Sequence, residues 1–282
     1  MIELAAAFAV AGAASNAVGT AFQRKAASAS SHGGLRLLAE LLRRPAWLIG
    51  MAGVVGAALF QSLALVNGPL ALVQPLFILE LPFALLVAGP LMHRRLPRSG
   101  WWGVGGVVTG LAVLLAAAAP HGATSQAPLD RWIPALALCL GVMAVAVLSA
   151  GRGRPAVRRA ALLAAASATG NALTAALLKS AAGTFADHGL PAFLRSWQTY
   201  GFAVTGAVAV LLLENALQAG PLVAAQPALT IGDATVSLAL GIALFHERVR
   251  TGWWLAPEIC GAVLIVMGVV VLSRAVQHLA VR

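Results

Sequence analysis

Long apolar stretches recur along the chain, separated by short connections that carry most of its charged residues. A helix needs about 20 mostly apolar residues to cross the hydrocarbon layer of a bilayer. The stretches that meet this requirement are 4–22, 46–66, 69–92, 101–119, 132–150, 160–180, 196–217, 221–245 and 252–273. The pattern therefore predicts an all-α polytopic membrane protein with about nine transmembrane helices, called spans one to nine below.

Composition and the positions of tryptophan support this division. Hydrophobic residues make up 60% of the chain and charged residues 10%, whereas about 25% charged residues is usual in soluble domains. The mean hydropathy is +0.88. All 7 tryptophans fall at predicted span starts, where indole rings favour the headgroup layer. We therefore interpret them as interfacial rather than as core residues.

Basic residues are divided unevenly between the two sides of the membrane. With nine spans, most of the 19 Lys and Arg residues fall on one side, and the other side holds only Arg131, Lys179, Arg195, Arg248 and Arg250. Cytoplasmic loops carry the excess of Lys and Arg, so we expect the N-terminus outside and the C-terminus in the cytoplasm of a cell membrane. The basic cytoplasmic loops then account for the net charge of +10, so this charge does not imply a nucleic-acid partner. In the basic connection 23–45, GGLRLLAELLRR suits either a short helix on the membrane surface or a solvated loop.

The chain contains an internal repeat, because residues 68–102 align with residues 220–254 without a gap. GPLALVQPLFILELP lies over GPLVAAQPALTIGDA, and SNAVGTAFQRKAA of span one resembles GNALTAALLKSAA of span six, so spans one to four repeat as spans six to nine. Five crossings separate each helix from its copy, which gives the two halves opposite orientations. The domains expected are a first repeat at 1–119, a linking helix with a basic loop at 120–159, and an inverted second repeat at 160–282.

The repeated stretches resemble a known family. GPLALVQPL and GDATVSLALGIALFHERVRTGWW, in which Glu247 and Arg248 follow span eight, resemble the paired repeats of the drug/metabolite transporter superfamily and its EamA-like branch. The resemblance covers nearly the whole chain and implies a secondary transporter that moves a small metabolite by alternating access. WLIGMAGVVGAALFQSLALVNGPLALVQPL is similar to the NIPA-type magnesium transporters, which implies passage of magnesium or another divalent cation as the alternative.

Two carboxylates are predicted near the middle of repeated helices. Glu80 lies in span three, and Asp233 lies in span eight, one residue from the copy of Glu80. A charge at the centre of a membrane helix costs about 2.5–3.5 kcal/mol on insertion scales, and inverted-repeat transporters place their sites near the midplane between the halves. We therefore predict a two-acid site that binds a proton or attracts a cationic substrate. The alternative is that each is a neutral acid that holds helices together through hydrogen bonds.

Further polar residues complete the candidate site. Each repeat has a Gln-Pro pair ahead of its carboxylate, and a proline within a helix removes a backbone donor and permits a bend. We predict Pro75 and Pro227 as hinges, although simple packing kinks remain the alternative. The side chains expected beside the substrate are Gln74, Gln226, Asn16 and Asn171, and the two asparagines suit interhelical hydrogen bonds equally well.

Four other polar residues carry weaker signals. Gln61 and Glu214 could reach the same cavity, whereas Glu214 and Glu258 also lie near span ends where water is available. Lys179 is expected to extend its ammonium group to the membrane surface from the end of its helix.

The sequence indicates no enzyme and no cofactor or resident metal. It contains no phosphate-binding loop, and its 6 histidines show no zinc-ligand spacing. The expected partners are the lipid bilayer and a small-molecule or cation substrate, and the oligomeric state stays open, a homodimer included. A membrane scaffold or sensor without transport is the remaining alternative, although paired acids within the membrane are unnecessary for that role.

Overall fold

A computed structural model describes residues 2–28, 44–91, 98–122, 124–151, 153–220 and 222–280. Within these ranges the protein is built from α-helices, and nine of them are long and apolar enough to cross a membrane. The prediction of an all-α membrane protein with nine spans is therefore confirmed for the described part of the chain. The GGLRLLAELLRR segment lies outside the described residues.

The helices follow the predicted spans in order. Their bounds are α1 (Ile2–Ser28), α2 (Pro45–Asn67), α3 in two segments (Leu70–Phe77 and Glu80–Leu91), α4 (Arg98–Ala118), α5 (Leu129–Ser149), α6 (Ala156–Arg195), α7 (Trp197–Ala219), α8 (Leu222–Phe245) and α9 (Leu255–Ala280). A single 3₁₀ turn, Gly252–Trp254, precedes α9.

Helix α3 is interrupted just after Pro75. The amide of Ile78 donates to the carbonyl of Pro75 over 3.1 Å, and that of Leu79 donates to Leu76 over 3.1 Å. These bonds span three residues instead of four, so the helix tightens into a 3₁₀-like turn before it resumes at Glu80. Its counterpart α8 runs from Leu222 to Phe245 without a break.

Helix α6 is much longer than its predicted span of 160–180. It continues to Arg195, with a change of direction at Gly189, whose φ is 77° and ψ is −174°. A positive φ is easy only for glycine, so this residue permits the bend. Lys179 consequently lies well inside the helix rather than at its end.

Helix packing is similar in the two predicted repeats. Helix α1 packs against α2 and α3, and α6 packs against α7 and α8. Contacts between the predicted repeats include those of α3 with α8 and of α4 with α9. Glycines allow the close approach in this last pair, since a Cβ on Gly110 would lie 2.7 Å from the carbonyl oxygen of Gly261.

The apolar core lies where α3, α6 and α8 converge, and Leu70, Leu173 and Phe245 are among its buried members. Trp132 is also part of it, with only 1% of its surface exposed. Its ring packs edge-on against Trp197, with 5.3 Å between the centroids. The interfacial interpretation is therefore wrong for Trp132, because α5 turns this side chain inward.

Two connections join at one end of the bundle. His121 and Arg248 exchange backbone hydrogen bonds of 3.0 and 2.9 Å, forming an isolated antiparallel bridge. The connection after α4 thus contacts the connection after α8. We call this end of the bundle the bridge face.

Substituting Gly261 by alanine should destabilise the α4–α9 pair. The new Cβ would lie 2.7 Å from both the Gly110 oxygen and the Leu114 nitrogen, which are backbone atoms and cannot rotate away. Overpacking of this kind costs about 1–3 kcal/mol, measurable by SDS-titration unfolding of purified protein in micelles. Gly105→Ala in α4 is the matched control, because its Cβ meets nothing within 4 Å. Equal unfolding free energies for the two variants would contradict the packing.

Candidate functional site

A buried ion pair joins α6 to the residue pair that follows α8. The Nζ atom of Lys179 lies 2.9 Å from Oε1 of Glu247, and both side chains are almost completely buried. The same ammonium group donates to the carbonyl oxygen of Gly68 over 2.9 Å, and it stands 4.9 Å from the ring centroid of Phe245. The pair is therefore enclosed by the core rather than by water.

Glu247 also caps the start of α3. Its carboxylate oxygens accept hydrogen bonds from the backbone amides of Leu70 over 2.6 Å and Ala71 over 2.9 Å. The first amides of a helix lack partners within the helix and carry its positive dipole end, so a carboxylate is favoured there. The extended conformation of Pro69, with φ −69° and ψ 146°, exposes these amides at the helix start.

Local backbone geometry places the Glu247 carboxylate. His246 has φ 53°, which ends α8, and the amide of Glu247 then turns back to the carbonyl of Gly241 over 3.1 Å. A side chain on Gly241 would overlap the carboxylate. The glycine in the last turns of α8 is thus needed for the carboxylate to fold over its own helix.

We call Lys179, Glu247, Gly68, Leu70 and Ala71 the polar clasp. Its lysine and glutamate come from the second predicted half, and its backbone groups come from the first. Burying both charges costs several kcal/mol, which their attraction and added hydrogen bonds offset only when the geometry is good. The clasp therefore joins α6 and the end of α8 to the start of α3 at the bridge face, through polar contacts that depend on the relative positions of these helices.

The expectation that Lys179 reaches the membrane surface is wrong. Helix α6 continues past it, and Glu247 offers it a buried partner from α8. The sequence indicates Glu247 only as part of the Glu-Arg pair that follows span eight. Its position directly after the repeated span eight draws attention to Glu247, but the local sequence pattern does not identify Lys179 as its partner.

The predicted carboxylates Glu80 and Asp233 have different surroundings. Glu80 is half-buried at the start of the second α3 segment, with the hydroxyl of Thr20 in α1 at 3.4 Å. Asp233 is half-buried in the middle of α8, with the hydroxyl of Ser237 at 3.4 Å. Each acid thus has a hydroxyl neighbour of its own, and their joint action stays a prediction.

The remaining predicted residues are distributed over the four helices of the two repeats. Gln74 is buried in the first α3 segment, while Gln226 in α8, Asn16 in α1 and Asn171 in α6 are half-buried. Pro75 lies in the first α3 segment and Pro227 within α8. Their roles as substrate ligands and hinges stay predictions.

Two cavities flank the clasp. One, of about 230 Å³, lies between α3, α4, α8 and α9, and is bordered by Pro75 and Glu258 among others. The other, of about 360 Å³, lies at the bridge face and is bordered by Asn67, Ser125 and Lys179. Across the described ranges, no three His, Cys, Asp or Glu side chains are grouped closely enough to hold a metal ion.

Replacing Lys179 with methionine should strongly destabilise the protein. Glu247 would remain buried beside the α3 amides without its cation, and removing one partner of a buried ion pair costs about 3–5 kcal/mol. Unfolding by SDS titration measures this loss. Arg195→Met, at the exposed end of the same helix, should change stability little. If both variants unfolded at the same SDS fraction, the clasp would not be a stabilising interaction.

Comparison with known proteins gives one extended similarity. The chain is 29% identical over 278 residues to an uncharacterized protein of Corynebacterium glutamicum, and the aligned region covers 96% of this chain and 95% of that protein. No family model matches the chain, and no solved structure matches it significantly. The similarity extends over nearly the full length of both proteins, so it includes all nine helices.

Proposed function

We propose that the protein is a secondary transporter that moves a small metabolite across the cell membrane by alternating access. The observation that carries this proposal is the polar clasp, because it is a buried, charged contact between the two halves at one end of the bundle. Hydrophobic side chains of similar volume often stabilise such a contact equally well. A polar contact has the further property that it can exchange its partners for water when the halves separate.

The sequence repeat and the helix packing support the same proposal. Helices α1–α3 and α6–α8 pack in corresponding pairs, as inverted repeats of secondary transporters do. The resemblance of the repeats to the drug/metabolite transporter superfamily favours this class. With the N-terminus outside, as the charge bias predicts, the bridge face is extracellular, and the closed clasp corresponds to a state shut toward the outside.

In this mechanism α3 is the moving element at the bridge face. Opening would release the amides of Leu70 and Ala71 from Glu247, and the 3₁₀-like turn at residues 78–79 lets the first α3 segment tilt without breaking the second. Glu80 lies just beyond this turn and Asp233 lies in the opposed helix α8. Proton exchange at these acids would couple the tilt to a proton gradient.

Neutralising Glu247 should open the bridge face. Spin labels at Val66 and Ala186, both exposed near the ends of α2 and α6, would report the separation of the halves by double electron–electron resonance, after replacement of Cys139 and Cys260. Glu247→Gln should lengthen or broaden the distance distribution, because the amide cannot neutralise Lys179. Glu214→Gln, which alters an exposed carboxylate on α7, is the control. An unchanged distribution in Glu247→Gln would rule out the clasp as a gate.

Neutralising both predicted acids should abolish transport. Proteoliposomes containing the wild-type chain would be tested under a proton gradient with labelled amino acids, amines and nucleosides. At least one class should accumulate, and the Glu80→Gln/Asp233→Asn variant should lose that uptake, since neither acid could exchange a proton. The Glu214→Gln variant serves again as the control. Undiminished uptake by the double variant would remove these acids from the mechanism.

A further inference from the structure

The cavity of about 230 Å³ lies between the two predicted halves, directly beside the polar clasp. Helices α3 and α4 form one wall, and α8 and α9 form the other. Ala71 belongs to both features, because its amide donates to Glu247 over 2.9 Å while the residue borders the cavity. Any molecule in the cavity would therefore contact the same α3 segment that the clasp holds.

The cavity wall is apolar with few exceptions. Alanine, leucine, isoleucine, valine and proline side chains form most of it, and its polar members are Thr230, Thr235 and Glu258. Among the described residues of this wall, Glu258 is consequently the one that can carry a charge. These residues supply no second carboxylate to complete the oxygen shell that a divalent cation requires.

One oxygen of the Glu258 carboxylate has no partner among the residues that the structure describes. Its Oε1 atom is buried and lacks a hydrogen bond within the described ranges. Buried polar atoms nearly always have a partner, and each exception calls for an explanation. Glu258 as a whole is half-buried near the start of α9, where water could supply the partner. Its Oε1 atom, however, lies in a wall that is otherwise almost entirely apolar, so a ligand with a polar group and an apolar body fits this position better.

We propose that this cavity binds a small organic amine, with its ammonium group at Glu258 and its apolar body against α3 and α8. An ammonium group supplies both the positive charge and the hydrogen-bond donor that Oε1 lacks. The volume is below the roughly 300–1,000 Å³ of pockets for drug-sized ligands, so the ligand has about one ring or a short branched chain. This assignment names the substrate class of the proposed transporter and rests on that proposal.

The position of the amine also explains how its binding would affect the polar clasp. Its apolar body would contact the first α3 segment at Ala71, whose amide donates a hydrogen bond to Glu247, and at Pro75, about one turn further along. An amine bound in the cavity would therefore favour one of two positions of the first α3 segment, the one with the clasp closed or the one with it open. A ligand shifts such an equilibrium only by its difference in affinity for the two states.

Binding can be measured without transport. The full chain in nanodiscs of zwitterionic lipid would be titrated calorimetrically with 2-phenylethylamine, and with 2-phenylethanol and 3-phenylpropionate as neutral and anionic probes of similar shape. The amine should bind at least about ten-fold more tightly than either control, since a hydrogen-bonded charge pair is worth about ten- to hundred-fold in affinity. Equal binding of the alcohol would mean that the cavity merely accepts apolar molecules, and would overturn the proposal.

Two variants test the assigned atoms. Glu258→Gln should weaken amine binding about ten- to hundred-fold, whereas Asp187→Asn, at an exposed position of α6, should leave it unchanged. Ala262→Leu keeps the carboxylate but adds volume to the α9 wall, and should weaken amine binding as well. Unchanged affinity in Glu258→Gln, with a wild-type melting curve, would overturn the assignment.

The binding and spin-label measurements together distinguish the proposed amine site from the proposed transport mechanism. Amine binding that depends on Glu258, together with immobile spin labels at the bridge face, would support the site and reject the transporter mechanism. Opening of the bridge face in Glu247→Gln without amine binding by the wild-type chain would reject the site and keep the mechanism.

Discussion

The burial of Lys179 and Glu247 is the constraint on which the junction of α3, α6 and α8 depends. Two charges leave water at this point, and the structure compensates with an ion pair of 2.9 Å and with the carbonyl and amides of the α3 start. These partners come from three separate parts of the chain. The contact is therefore favourable only when α3, α6 and the end of α8 hold their observed relative positions.

The other contacts between the halves have a different physical basis. Helix α4 approaches α9 through Gly110 and Gly261, where packing of small residues replaces polar bonding. A glycine contact would permit one helix to slide on another without breaking a hydrogen bond, whereas the clasp would have to break if α3 moved. In the proposed mechanism, the α4–α9 contact would therefore persist while the clasp opens.

The structure places some of the candidate functional side chains closer to the bridge face than the sequence suggests. Glu80 and Asp233 lie along α3 and α8, as their spacing predicts. The buried ion pair, and the Glu258 oxygen that has no partner among the described residues, lie nearer the bridge face. A proton at the first two acids and an amine at Glu258 would act on the same two helices from different depths. Both would bias the position of the first α3 segment.

The sequence by itself determined the nine membrane spans and their order, because hydropathy is a property of each local stretch and the bilayer thickness sets its length. It also indicated the repeat and the proline near which α3 is interrupted. Only the tertiary structure decided the partner of Lys179, which lies 68 residues away, and the burial of Trp132. It also decided that Oε1 of Glu258 has no hydrogen-bond partner among the described residues. These features arise where helices from distant parts of the chain pack together, and the local alternation of apolar and polar residues contains no information about which side chains then meet.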